Sequence, residues 1–285
     1  MNEREFIAAL RALPLHSGAR GLYDDAAVLE IGGETLILTH DAMTEGTHFR
    51  ADADMADVAW KLVATNLSDL AAKGAEPVGV LLSYALGSDD ERFLAGLREA
   101  MEEYRLPLIG GDTISATGAR SFGLTAIGRA TYTPVPDRSG SQAGDAIYVT
   151  GIIGRAMLGF EGVSEHRAAY DRPRPLLAEG HALAPLVTAM MDVSDGLLLD
   201  AWRMGQASGV TFEIASDLIP VADPARRFDC MRWGDDYQLL FTAAPETNLP
   251  VAATRIGTVV EDGFAPIRLD GELIADPENL GYTHS

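Results

Sequence analysis

Residues 133–144 limit the possible architectures of this chain most sharply, because two prolines, two glycines and two serines crowd into that short stretch. Proline removes a backbone donor and glycine loosens the backbone, so neither helix nor strand is favoured there. Helix and strand patterns alternate up to this break and begin again beyond it. The chain has 285 residues, more than the ~100–200 typical of one domain. The expected fold is α/β (α+β in its division into two domains), with domains at residues 1–138 and 139–285.

In the first unit, Phe6, Ile7, Leu10 and Leu13 fall at helical spacing. Residues 26–30 and 35–39 are short β-rich runs around Gly32-Gly33, the pattern of a hairpin. Residues 54–72 read as a long helix with Val58, Leu62, Leu67 and Leu70 inward and Gly74 as its stop. A strand is expected at 78–86. Ser88-Asp89-Asp90-Glu91 is expected to cap a helix that runs to about Tyr104. Strands at 106–109 and 122–130 follow. In the second unit strands are expected at 146–150, 210–214 and 238–242. Residues 176–190 read as mostly helical and 197–207 as a helix, with a hairpin turn at Asp270-Gly271.

The net charge is −20, from 22 basic and 42 acidic residues. Such a surface repels nucleic acid, and no apolar run approaches the ~18–20 residues that span a bilayer. With one cysteine, Cys230, no internal disulfide can form. The N-terminal residues lack the basic-then-apolar grammar of a signal peptide, so a cytoplasmic location is expected. A chain this acidic repels ATP unless cations neutralise the contact, although the charge serves solubility equally well. There is no GxxxxGK[ST] loop, no GxGxxG after a strand, no HExxH and no G-x-S-x-G.

Six segments place an aspartate beside a strand or helix end: Asp24-Asp25, Thr39-His40-Asp41, Asn66-Leu67-Ser68-Asp69, Gly110-Gly111-Asp112-Thr113, Asp192-Val193-Ser194-Asp195-Gly196 and Gly234-Asp235-Asp236-Tyr237. Taken singly, each reads as a turn or cap. As a set they suit magnesium, a hard cation that takes a few carboxylates from different elements and leaves its remaining positions to phosphate and water. Strand ends of α/β folds gather at one edge, where such groups converge. Ser194 is expected to cap the following helix, whose free N–H groups attract phosphate. Asn66 and Asp69 share a helix face, either as a solvated stripe or as part of a site. Gly110-Gly111 is either a tight turn or a close approach to a ligand, and His48 is a loop histidine on pattern alone.

These segments, in this order from about Asp24 to Tyr282, closely resemble the thiamine-monophosphate kinase family. The matching runs include Asp24-Asp25-Ala26-Ala27-Val28-Leu29, Asn66-Leu67-Ser68-Asp69-Leu70 and Met191-Asp192-Val193-Ser194-Asp195-Gly196-Leu197. The resemblance implies two domains, with the N-terminal mixed-sheet domains paired in a homodimer. It implies magnesium-dependent, direct in-line transfer of the ATP γ-phosphate to thiamine phosphate. It makes Asp25, Thr39, Asp41, Asp69, Asp112, Asp192 and Asp195 magnesium ligands, and gives Gly111, Asp112, Arg138 and Ser194 to ATP. His48, Asp235 and Tyr282 fall at positions that contact thiamine phosphate. Tyr23, His40 and Asp235 depart from the residues usual in the family. Two alternatives are another ATP-dependent enzyme of the wider superfamily and a non-catalytic nucleotide-binding relative.

Overall fold

A computed structural model describes residues 3–261 and 264–283. Strands β1 (Ala27–Ile31) and β2 (Glu34–Thr44) form an antiparallel hairpin turned at Gly32 and Gly33, both at positive φ. They join β3 (Ala75–Leu86), β4 (Leu108–Ser115) and β5 (Ser121–Ala130) in a sheet of order β1-β2-β5-β3-β4, antiparallel except for β3 against β4. Helix α1 (Glu3–Arg11) precedes the sheet and α3 (Asp90–Glu103) joins β3 to β4.

The second sheet has the order β12-β11-β8-β10-β6-β9-β7. Its strands are β6 (Ala146–Thr150), β7 (Ala189–Asp192), β8 (Thr211–Ile214), β9 (Leu239–Ala243), β10 (Ala253–Val260), β11 (Ile267–Leu269) and β12 (Glu272–Ile274). Helices α4 (Arg155–Phe160), α5 (Arg167–Asp171), α6 (Leu177–Leu183), α7 (Leu197–Ser208) and α8 (Arg227–Trp233) surround it.

Helix α2 (Met55–Ala72) ties the halves together. Asp54 caps it by accepting from Ala56 N–H at 2.9 Å. Every residue of α2 except Asp57 and Asp69 is buried. Its body packs in the first core with Leu124, Ala126 and Phe122, while Ala71 and Ala72 sit in a cluster with Tyr148, Met190, Leu239 and Phe241 of the second sheet. An amphipathic surface helix hides one stripe; this one is buried all round because both domains press on it.

Four expectations change. The Gly110-Gly111-Asp112-Thr113 segment lies inside β4 rather than after a strand. Gly111 is required because a Cβ there would stand 1.9 Å from the Leu82 carbonyl oxygen of the neighbouring strand. The capping box does not form: Asp89 adopts the left-handed conformation without a capping bond, and the Asp90 carboxylate turns back to accept from Gly87 N–H and Tyr84 Oη. Residues 176–190 divide into α6 and buried β7, since Pro185 interrupts the helical run. Ser194 does not cap α7, which begins at Leu197 after Gly196. Between the sheets, residues 133–144 carry neither helix nor strand, as expected.

Candidate active site

The strongest constraint on the site is the loop that leaves β7, because four backbone bonds fix it. Val193 N–H donates to Gln238 O, Tyr237 N–H to Val193 O, Asp235 N–H to Ser194 O and Tyr282 N–H to Asp195 O, all at 2.8–2.9 Å. Gly234, at φ +91°, and Gly281 permit this packing: a Cβ on either would come within 2.4 Å of the Ser194 or Asp195 carbonyl oxygen. From inside α7 the buried Asp200 carboxylate accepts the N–H groups of Ser194 and Asp195, both at 3.1 Å. Arg203 bridges Asp195 at 2.5 Å and Asp200 at 3.0 Å. The residue that organises this turn is therefore Asp200, not Ser194.

Strand β2 turns Thr39 and Asp41 to one face and the exposed His40 to the other, where its Nδ1 lies 2.8 Å from Thr125 Oγ1. Thr39 Oγ1 donates to Asp69. Asn66 is fully buried: it donates to Leu62 O and accepts from Asp41 N–H, so it is no solvated stripe. Asp192 accepts from Ser68 Oγ at 2.6 Å. Carboxylate oxygens of Asp25, Asp69 and Asp192 lie within 4.8 Å of one another.

Burial dominates the charge of these acids. It raises Asp69 and Asp192 well above the usual carboxylate range, and the surrounding carboxylates add to the effect. Burial, with the charges of Asp195 and Asp25, pushes Asp41 up to about 6 although Thr65 opposes it. Asp25 differs: burial would raise it, but the Arg138 guanidinium and the Lys73 ammonium hold it below the usual range.

Oxygen donors from separate elements, crowded in a buried site, match the requirements of magnesium. Two unsatisfied atoms lie here as well. Asp25 Oδ2 is 2.8 Å from Lys73 Nζ yet takes no aligned hydrogen bond, and the buried Nε of Arg138 has no acceptor. The first already faces the Lys73 ammonium, whereas the second would be satisfied by an anion.

A cavity of about 380 Å³ opens from this acid cluster and crosses between the domains. Asp41, Asp69, Asp192, Ser194 and Asp195 line it. Its wall also carries an aromatic group, with Phe160 packed on Tyr170 and on Trp233 at ring separations of 5.2 and 5.0 Å. His48, Tyr282 and Asp235 line the cavity too. His48 Nδ1 accepts from Thr44 N–H at 3.0 Å. Asp235 pairs with Lys61 Nζ at 2.7 Å and accepts from Tyr237 Oη at 2.8 Å. Lys61 also lies 3.8 Å from the centre of the Tyr170 ring. Next to this, burial pushes Asp236 up to about 7 even though the Gly154 and Ala156 amides bind it.

The structure thus brings together Asp25, Thr39, Asp41, Asp69, Asp192, Ser194, Asp195 and Arg138, and places His48, Asp235 and Tyr282 along the same cavity. It does not bring in Asp112 or Gly111. Asp112 stands in a row with Ser83, Gly123 and Ala42, so β4 is three strands from β2, or ~14 Å at the usual strand spacing. Residues absent from the sequence reading are Lys61, Lys73, Thr65, Asp200, Arg203 and the aromatic trio. One signal was available for the lysines: Lys61 and Lys73 are the only two in the chain.

Fold and site together define an AIR synthase related protein, whose N-terminal domain profile matches residues 23–130 and whose C-terminal domain profile matches 142–267. The thiamine-monophosphate kinase of Salmonella typhimurium is 35% identical over 293 residues, covering 92% of this chain and 86% of that protein. A solved complex of AaThiL with AMPPCP and TMP superposes with a TM-score of 0.87 at 28% identity, over 100% of this chain and 97% of that one. The thiamine monophosphate kinase of Aquifex aeolicus gives 0.81 at 27%, over 96% and 99%. The chain belongs to the thiamine-monophosphate kinase family, a family of ATP-dependent phosphotransferases.

Proposed function

We propose that this chain is a magnesium-dependent kinase that moves the γ-phosphoryl group of ATP onto the phosphate of thiamine monophosphate, giving thiamine diphosphate and ADP. One observation carries the reading: the same cavity is lined by an acid cluster suited to hard cations and by an aromatic group with the Asp235 carboxylate. Thiamine monophosphate offers the matching parts, a phosphate at one end and flat rings, one of them cationic, at the other. The AaThiL complex with AMPPCP and TMP supports the same pairing of ligands.

Asp25, Asp41, Asp69, Asp192 and Asp195, with the Thr39 hydroxyl, are the residues that would hold magnesium. Bound there, it supplies charge neutralisation between donor and acceptor phosphates. Arg138 would give its Nε–H, which has no acceptor within the protein, to an ATP phosphate, and Ser194 would contact the nucleotide beside it. Asp235, His48 and Tyr282 orient the acceptor against the Phe160, Tyr170 and Trp233 wall.

The attacking acceptor-phosphate oxygen is already ionised near neutral pH, so no side chain needs to take a proton from it. It forms a bond to the γ-phosphorus as the β–γ bridging bond breaks, and the electron pair leaves on ADP. The transfer passes through no phospho-enzyme, because the acceptor oxygen is itself the nucleophile. Inversion at the transferred phosphorus is the expected stereochemistry, and retention would overturn direct transfer.

The division at residue 138 and a homodimer belong to the same proposal. Leu81 of β3 and Ile114 of β4, which the register of the two strands turns to the same side, leave apolar side chains exposed on one face of the sheet. Covering it with a second copy supports a role for Gly111 and Asp112 at the partner's nucleotide. No helix among the described residues is long and apolar enough to cross a membrane, and the proposed cytoplasmic location accords with that. The test is purified protein with ATP and Mg²⁺, offered thiamine phosphate, thiamine or other monophosphates. Thiamine diphosphate is expected from the first alone. Binding of Mg-ATP with no turnover on any of them would support the non-catalytic alternative instead.

A further inference from the structure

Only two of the 22 basic residues are lysines. Both are buried and both lie on or directly after α2. Where a chain otherwise uses arginine, a buried lysine marks a place that wants a compact point charge rather than a planar fork. Lys73, fully buried, closes the C-terminal end of α2. Its ammonium nitrogen has three oxygens around it: Asp24 Oδ1 at 2.5 Å, Asp25 Oδ2 at 2.8 Å and the Met190 carbonyl at 3.2 Å. The first two belong to the loop before β1; the third is on β7, two residues before Asp192.

These carboxylates do not need Lys73 merely for a partner. Asp24 is already paired with Arg20 at 2.5 Å, and Asp25 with Arg138. Two carboxylates and a carbonyl converging on one buried point make an oxygen-lined seat for a hard cation, and the ammonium that occupies it carries a single charge. We infer that Lys73 is a tethered monovalent cation, a positioning residue whose ammonium fills an oxygen-lined seat between the domains and sets Asp25 against β7. Asp25 and Asp192, carried by different domains, are thereby held at their mutual distance before any divalent ion arrives.

The inference rests on the proposed metal site only through Asp25 and Asp192, and its first readout uses neither nucleotide nor acceptor. The experiment compares the full chain with Lys73→Met in chloride salts of K⁺, NH₄⁺, Li⁺ and tetramethylammonium at equal ionic strength. Thermal unfolding is followed without divalent metal, and calorimetric titration with MgCl₂ comes second. The unmodified chain is expected to be indifferent to the salt. Lys73→Met is expected to melt earlier in Li⁺ or tetramethylammonium and to bind Mg²⁺ ~10–100-fold more weakly, the usual cost of losing a partner behind a ligand. K⁺ or NH₄⁺, which match an ammonium group in size and charge, restore both.

Equal loss in all four salts, or no loss in any, overturns the inference. The charge-balanced Asp24→Asn/Lys73→Met variant repeats the series in case the single change does not fold. Failure of both variants to fold in K⁺ also overturns it, since a seat that accepts the ion would recover the fold. A negative kinase assay leaves these readouts untouched, so the two readings fail separately.

Discussion

The carboxylates of Asp41, Asp69 and Asp192 crowd together where the cavity enters the fold, so their ionisation is costly without a counter-ion. Asp69→Asn removes a charge from this crowd. The metal-free protein should melt no lower than the parent, while Mg²⁺ affinity and turnover drop by more than the ~10–100-fold expected of a supporting residue. Undiminished Mg²⁺ binding by calorimetry would remove Asp69 from the ligand set. The pH dependence follows from the same acids. Asp41, at about 6, and Asp200, at about 7, hold their protons in the folded chain above the unfolded value of 3.8. Between those values the folded state binds more protons, so the metal-free protein loses stability as pH rises from about 4 to 7. Cation binding needs the ionised acids, so Mg²⁺ affinity should climb through pH 6 with release of protons. Melting curves at pH 5 and 8 with and without Mg²⁺ check both signs. Elsewhere in the cavity lining, Lys61→Met and Asp235→Asn should each raise KM for the acceptor. As direct partners at 2.7 Å, they should couple in a double-mutant cycle by ~0.5–3 kcal/mol. Strict additivity would mean that they act apart.

Among the elements, the turn after β7 depends on neighbours that are far away in sequence. Gly234→Ala would force a Cβ against the Ser194 carbonyl at a φ of +91°, costing ~1–3 kcal/mol of backbone strain. The expected result is a lower melting temperature together with weaker Mg-nucleotide binding; an unchanged pair would mean the turn tolerates displacement. The same dependence limits what the linear chain discloses. Helix α2 and its Asp54 start were legible, because spacing and capping are local. So was the break at 133–144. The helical reading of 176–190 failed where an apolar run could serve as buried strand or helix, a choice made by the pairing of β7 with β9. Ser194 looked like a cap until Asp200, from inside the helix, took the donors a cap would have satisfied. The acid set was visible as residue types at element ends. The aromatic wall from α4, α5 and α8 was not, since three short helices carry it and no periodicity links Phe160, Tyr170 and Trp233.

For the whole molecule, the exposed apolar side chains of β3 and β4 predict self-association. Ile114→Glu, on a half-exposed β4 position, should convert the proposed dimer to a monomer in sedimentation and abolish turnover, while leaving the fold intact. A parent chain that sediments as a monomer at micromolar concentration would remove the second copy from the site. Helix α2 is embedded in the cores of both sheets, and this sets how the protein comes apart. Neither half can melt while the other persists, because the rod they share has no aqueous side to fall back on. Heat should therefore dismantle the chain in one step, and a gene fragment encoding either half alone should yield insoluble product. Lineages that recombine such genes would be expected to inherit the two halves as a single indivisible unit.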